Sequence, residues 1–230
     1  MIWPVASVAV DCDPYWDNVV LAMHLENYTD LKGHTITNGS SEISAVQSKF
    51  GGFSAYFDGL FDYFETPSSV DFDCTGDLTW DMWLYPLAYP LGESTILCFD
   101  GADSLHAGHR LALQPNGKLY AAFMYTSNPG VNGISAVSTN TLPLNIWSFV
   151  QVSISGTTVS LRINGNLEDT SPITEAIKPW VASRKLFVGR YYNNSIPQRY
   201  NGFIDDLRIT KGIGRNDASA PISAFAEVAC

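Results

Sequence analysis

The chain has 230 residues, 46% hydrophobic and 13% aromatic, which is enough apolar side chain for one sizeable core and excludes a largely disordered polymer. Charged residues make up only 16% and the formal net charge is -10, so counterion release cannot drive nucleic-acid binding and an anionic membrane surface repels the chain. No segment approaches the roughly 20 apolar residues that span a bilayer.

The apolar run Ile2-Trp3-Pro4-Val5 lacks a positively charged leader, and Asp11 and Asp13 follow soon after. It therefore reads as an arm or a first strand made in the cytosol, not as a signal peptide. Cys12, Cys74, Cys98 and Cys230 form no CxxC pair or metal-like spacing. They are expected as free and mostly buried thiols, with Cys230 exposed and open to fortuitous oxidation.

Short strands and turn signals then follow one another. Residues 19–26 read as a mostly buried strand, 53–57 alternate before the Asp58-Gly59 turn, and 61–65 resume an extended run. Residues 78–86 alternate cleanly, with Leu78, Trp80, Met82 and Leu84 on one face and Trp83 and Tyr85 on the other. Further strands are expected at 95–99, at 110–114 and 118–123 around Asn116-Gly117, and at 147–154. The series continues with 158–163, which turns at Asn164-Gly165, and with 186–189 and 203–209. The stretch 126–141 is polar and rich in Gly and Asn, and reads as a long loop. No stretch carries an amphipathic helix of useful length. Many strands, hairpin turns and no helical layer imply an all-β, two-sheet antiparallel sandwich. The expected organisation is an N-terminal arm over 1–17, the sandwich over 18–213 and a tail over 214–230.

Three segments carry a resemblance. They are Ser48-Lys49-Phe50-Gly51-Gly52-Phe53-Ser54-Ala55-Tyr56-Phe57-Asp58-Gly59, the 77–86 strand, and Gly202-Phe203-Ile204-Asp205-Asp206-Leu207-Arg208-Ile209-Thr210-Lys211-Gly212. In this order, with Asn164-Gly165 as a hairpin between, they resemble the laminin-G-like, concanavalin A-like jelly rolls. The wording is similar to versions found in tailed-bacteriophage tail and virion proteins. The resemblance implies a jelly-roll fold and a place in a virion. Many members of the broad fold hold calcium where the first strand meets the last. The matching acidic positions here are Asp205 and Glu26, and a structural calcium ion is the cofactor the resemblance allows. Period two also puts Asp205 on one face with Phe203, Leu207 and Ile209, where a carboxylate needs hydrogen bonds or a cation.

Catalytic constellations are missing. A retaining glycosidase needs two carboxylates about 5 Å apart on one face. No E-x-D-x-x-E strand occurs, and Asp205-Asp206 are adjacent and expected on opposite faces. There is no G-x-S-x-G elbow. His106 and His109 offer two imidazoles on a turn, but no Cys or carboxylate at ligand spacing completes a metal set, and they read as polar loop residues. A sugar site needs exposed aromatics. Tyr191 and Tyr192 are the expected exposed pair, and Trp83 and Tyr85 are the strand candidates, with core packing the competing role for Trp83.

The sequence thus reads as a non-enzymatic virion structural protein, a capsid decoration or tail component displaying a lectin-like domain for host-glycan adhesion. The alternative is a glycan-degrading or glycan-binding accessory module of a phage depolymerase. Expected partners are other virion proteins, further copies of this chain in a homo-oligomer, and a host-surface glycan. Neither nucleic acid nor membrane insertion is expected.

Overall fold

Alternating apolar residues organise most of the chain into strands. The computed structural model describes residues 12–101, 108–127, 133–179, 184–191 and 199–230. In chain order these hold β1 (Val19–Met23), β2 (Thr37–Gly39), β3 (Glu42–Ser44), β4 (Ser54–Asp58) and β5 (Tyr63–Thr66). Next come β6 (Leu78–Pro86), β7 (Ser94–Gly101), β8 (His109–Leu113), β9 (Lys118–Met124) and β10 (Gly133–Thr141). Then follow β11 (Ser148–Ser155), β12 (Thr158–Ile163), β13 (Asn166–Pro172), β14 (Arg184–Val188) and β15 (Asn201–Lys211). Helix among the described residues is confined to the 3-10 turns Trp16–Asn18 and Val70–Phe72. No helix there is long and apolar enough to cross a membrane.

The strands form two antiparallel sheets. One has eight strands in the order β13-β12-β11-β6-β15-β4-β3, with β1 added along the second half of β15. The other has seven, β10-β9-β8-β7-β14-β5-β2. Inward residues of both fill the space between them, as a sandwich requires. Leu78, Trp80, Met82 and Leu84 of β6 all join that core. The Trp80 ring lies on Phe99 and Phe123 of the opposite sheet, with centroids 5.1 and 4.8 Å away.

Three features depart from the sequence reading. First, residues 133–141 form β10 and not loop. Its buried residues, Ala136 and Ser138, are small or polar, so the alternation carries little hydrophobic contrast. The equally polar β13 lies beside it. Val137 N–H donates to Asp169, Asn140 N–H to Glu168, and Ser171 Oγ to the Ser135 carbonyl, so two sheet edges cover each other.

Second, β15 is bulged. Its register against β6 shifts between Asp205 and Arg208, and Asp206 adopts φ 51°. The extra residue resets the alternation. Ile204, Leu207 and Ile209 enter the core, whereas Phe203 packs on Tyr56 and Tyr85 and Arg208 pairs with Asp81 on the outer face. The expectation that Phe203 shares a face with Leu207 and Ile209 is corrected accordingly.

Third, Cys12 and Cys230 form a disulfide across a sequence separation of 218, while Cys74 and Cys98 are buried. Residues 213–230 lie back across the outer face of the eight-stranded sheet as a strap. Arg215 N–H donates to Thr79 Oγ1, which itself donates to the Ile213 carbonyl. Phe225 packs with Trp83 and Phe149. Asp13 N–H donates to the Val228 carbonyl, which brings the two cysteines together. Spacing along the sequence carries no sign of that closure.

Candidate functional site

The strap covers the outer face of β6 as far as Trp83 and leaves Tyr85 clear of it. Beyond the strap, strand register builds a row of side chains across the sheet. Glu42 of β3 is the partner of Tyr56 on β4, Tyr56 of Phe203 on β15, and Phe203 of Tyr85 on β6. Trp147, just before β11, continues the row. Successive ring centroids are 5.0 Å apart (Tyr56–Phe203), 5.9 Å (Phe203–Tyr85) and 5.4 Å (Tyr85–Trp147). Tyr56 and Tyr85 are half-buried, while Phe203 forms the buried floor at 4% exposure. Glu42, Tyr56, Phe203 and Tyr85 of this row line a cleft of about 450 Å³, which Gln47 and Asn145 also line. Asn145 is held at φ 59° with its N–H on the Pro86 carbonyl. From β3 to β6 is three strand spacings, roughly 14 Å, a span for a short oligosaccharide and not a single ring.

Backbone close approach makes this row possible. Gly202, with φ 151°, precedes Phe203, and a Cβ there would lie 2.4 Å from the Tyr85 carbonyl oxygen. Only glycine lets β15 come this near to β6 at that point.

The cleft's other wall is the 45–53 loop, and the two carboxylates expected to bind calcium hold it. Asp205, 1% exposed, accepts the N–H groups of Lys49 (2.7 Å) and Phe50 (3.2 Å) on one oxygen. Glu26 accepts the N–H groups of Gly52 (3.0 Å) and Phe53 (3.2 Å). Both residues therefore grip one loop from below. Calcium needs six to eight oxygen ligands, but donors face these carboxylates. No group of three or more His, Cys, Asp or Glu suited to a metal ion is gathered among the described residues. The residues present do not fit the ion. Burial pushes the Asp205 carboxyl up to about 7, and the charge of Asp206 acts in the same direction.

The remaining sequence candidates fare differently. Trp83 is 3% exposed, enclosed by Phe50, Phe149 and Phe225, with the Lys49 ammonium 4.0 Å from its ring, so it packs and is not presented. Tyr191 is 8% exposed in a cluster with Cys98 and Phe187, its hydroxyl accepting the Gly108 N–H at 3.3 Å. It is not half of an exposed pair. Tyr192 and His106 lie outside the described residues. His109 is a buried residue of β8, its Nδ1 accepting the Met124 N–H and its Nε2 donating to the Lys178 carbonyl. Of the three aromatic candidates among the described residues, Tyr85 is the one that lines this cleft. Tyr56 had a legible signal, since Ala55 and Phe57 alternate with it as core residues. Phe203 and Glu42 had none, because their place depends on the bulge and on register.

Two other cavities are less suited to a ligand. One of about 290 Å³ under the strap is lined by Arg208, Arg215 and Asp13. Both guanidinium groups are already paired with Asp13, and Arg208 covers the Phe225 ring at 3.9 Å. The other, about 400 Å³, opens beside Tyr89 and Leu91. The Tyr89 ring there is seated against Gly117 and its hydroxyl is bonded to the Leu142 carbonyl.

A two-sheet antiparallel jelly roll with an aromatic row on the outer face of one sheet defines a lectin-like domain. The chain belongs to the laminin-G-type family described as the Concanavalin A-like lectin/glucanases superfamily, whose family model matches residues 37–213. Among solved structures it is similar to the binding domain of Paraclostridial Mosquitocidal Protein 1 (TM-score 0.69, 14% identity, 89% of this chain and 51% of that one). It is likewise similar to the Botulinum Neurotoxin serotype G binding domain (0.66, 14%, 87% and 49%). A third likeness is to domain 4 of AbnA, a GH43 extracellular arabinanase from Geobacillus stearothermophilus, in complex with arabinotriose (0.62, 16%, 87% and 96%). The chain thus spans about half the length of the toxin binding domains it matches, and likenesses at this identity show the fold. Comparison with curated proteins finds no match.

Proposed function

We propose that this chain is a non-enzymatic glycan-binding module carried on a bacteriophage particle, where it displays the cleft outward. The observation that carries the glycan reading is the row Tyr56–Phe203–Tyr85 lining an open cleft. The C–H groups of a sugar ring are weakly positive and meet the negative faces of such rings, while Gln47 and Asn145 supply hydrogen bonds to hydroxyls. Binding without hydrolysis is supported by the cleft's lining, which holds a single carboxylate, Glu42, where glycoside hydrolysis calls for two.

The virion reading rests on the order and wording of the three sequence segments. The Cys12–Cys230 disulfide agrees with it, since such bonds persist on particle surfaces. In the particle the chain would meet other virion proteins and further copies of itself. An accessory module of a glycan-degrading enzyme is the second reading, favoured by a likeness that extends over 96% of the arabinanase domain.

A glycan-array screen tests the first part. The purified chain is expected to retain a defined set of oligosaccharides, and Tyr85→Ala to weaken retention roughly tenfold or more while leaving the thermal transition in place. If no glycan is retained, or Tyr85→Ala binds as the parent does, the cleft is not the site. Mass analysis of purified phage particles tests the second part, which fails if the chain is absent from them.

A further inference from the structure

The charge around the cleft is one-sided. Of the residues lining it, Glu42 is the one that carries a formal charge, and none is Lys, Arg or His. Glu42 is exposed on β3, directly across from Tyr56, and forms no salt bridge among the described residues. Burial holds the Tyr56 hydroxyl above its usual value, and the negative charges of Asp58, Asp62 and Glu42 push it further the same way. Lys49, in the loop that walls the cleft, has its ammonium over the Trp83 ring, and Arg199 donates to the Phe61 carbonyl. The chain as a whole carries -10. A carboxylate or sulfate on a sugar in this cleft would therefore meet Glu42 with no cation to compensate, and like charges placed together in a recognition site are penalised.

We propose that the cleft selects uncharged or amino sugars and rejects acidic ones, with Glu42 as the residue that sets the selection. The inference rests on the glycan reading of the same cleft. An uncharged ring stacks on Tyr56 and Tyr85, donates hydroxyl hydrogen bonds to Glu42, and accepts or donates them at Gln47 and Asn145. An ammonium on an amino sugar gains an ion pair with Glu42. A uronate, sialate or sulfate ester must approach that carboxylate directly.

The test uses matched oligosaccharides of one backbone in uncharged, amino and acidic forms, titrated against the full chain at low salt. The acidic form is expected to bind weaker than the uncharged form by on the order of tenfold, a gap that narrows as salt rises. Glu42→Gln should close most of that gap and remove any preference for the amino form. Glu42→Lys should turn the preference toward the acidic form. Since Glu42 is exposed, all three proteins should melt at closely similar temperatures. Parent protein that binds acidic and uncharged forms equally, or a Glu42→Gln variant with an unchanged ratio, overturns the selection while leaving the glycan reading intact. Failure of every form to bind overturns both.

Discussion

Asp205 and His24 show how single ionisable residues tie stability to pH. Burial is the main cause of the raised Asp205 carboxyl, from a usual 3.8 to about 7. The folded state thus favours its protonated form. The stability linked to that proton is fully present below about pH 4 and is lost as pH rises through about 7, amounting to a few kcal/mol. His24 acts in the same direction. Its hydrogen bond to Asp206 raises it above 6.5, and Asp206 and Glu227 favour the imidazolium further. Its contribution is full below 6.5 and is lost as pH climbs through the higher folded value. The protein is therefore expected to lose stability as pH rises from about 4 through about 7, with the His24 contribution lost above 6.5. In Asp205→Asn an oxygen remains to accept the Lys49 and Phe50 N–H groups, but the ionisation is gone. Its melting temperature should fall less over that interval. Parallel melting curves for the two proteins would refute the role given to Asp205.

At the scale of elements, the strap is the part whose contribution is easiest to isolate. A disulfide closing a loop of 218 residues contributes roughly 5 kcal/mol in the chain-entropy account, so its loss should lower the melting temperature by roughly 10–20 °C in a domain of this size. Cys12→Ser and Cys230→Ser should each show that loss, and the double variant no more than either alone, because one bond is removed in all three. Additive losses would mean the cysteines act separately. The strap also marks where sequence reading stops. β6 was legible because Leu78, Trp80, Met82 and Leu84 contrast sharply with their neighbours, and Asn164-Gly165 announces its hairpin. β10 and β13 were not, because Ser, Thr, Asn and Glu pack edge to edge with little apolar contrast. The bulge at Asp205 and Asp206 defeated the period-two rule for Phe203. Of the cleft, Tyr85 was legible from its strand. Tyr56 also had a signal in its strand, but its meeting with Phe203 and Glu42 depends on cross-strand register, a non-local property that no single stretch of sequence encodes.

Viewed whole, the molecule divides the outer face of its eight-stranded sheet between a strap that seals one part and a cleft that leaves the other open. The same strap returns the chain to its beginning, where Cys230 joins Cys12. That junction has a mechanical meaning. Tension applied between residues 12 and 230 passes through one covalent bond and bypasses the sandwich, so the domain stays folded and its cleft stays shaped while the particle or partner is pulled. Held by its two ends in a single-molecule pulling experiment, the oxidised protein should show no unfolding step. After reduction the 218-residue span should release up to roughly 740 Å of chain. Equal lengthening with and without reductant would show that the load runs through the strands after all.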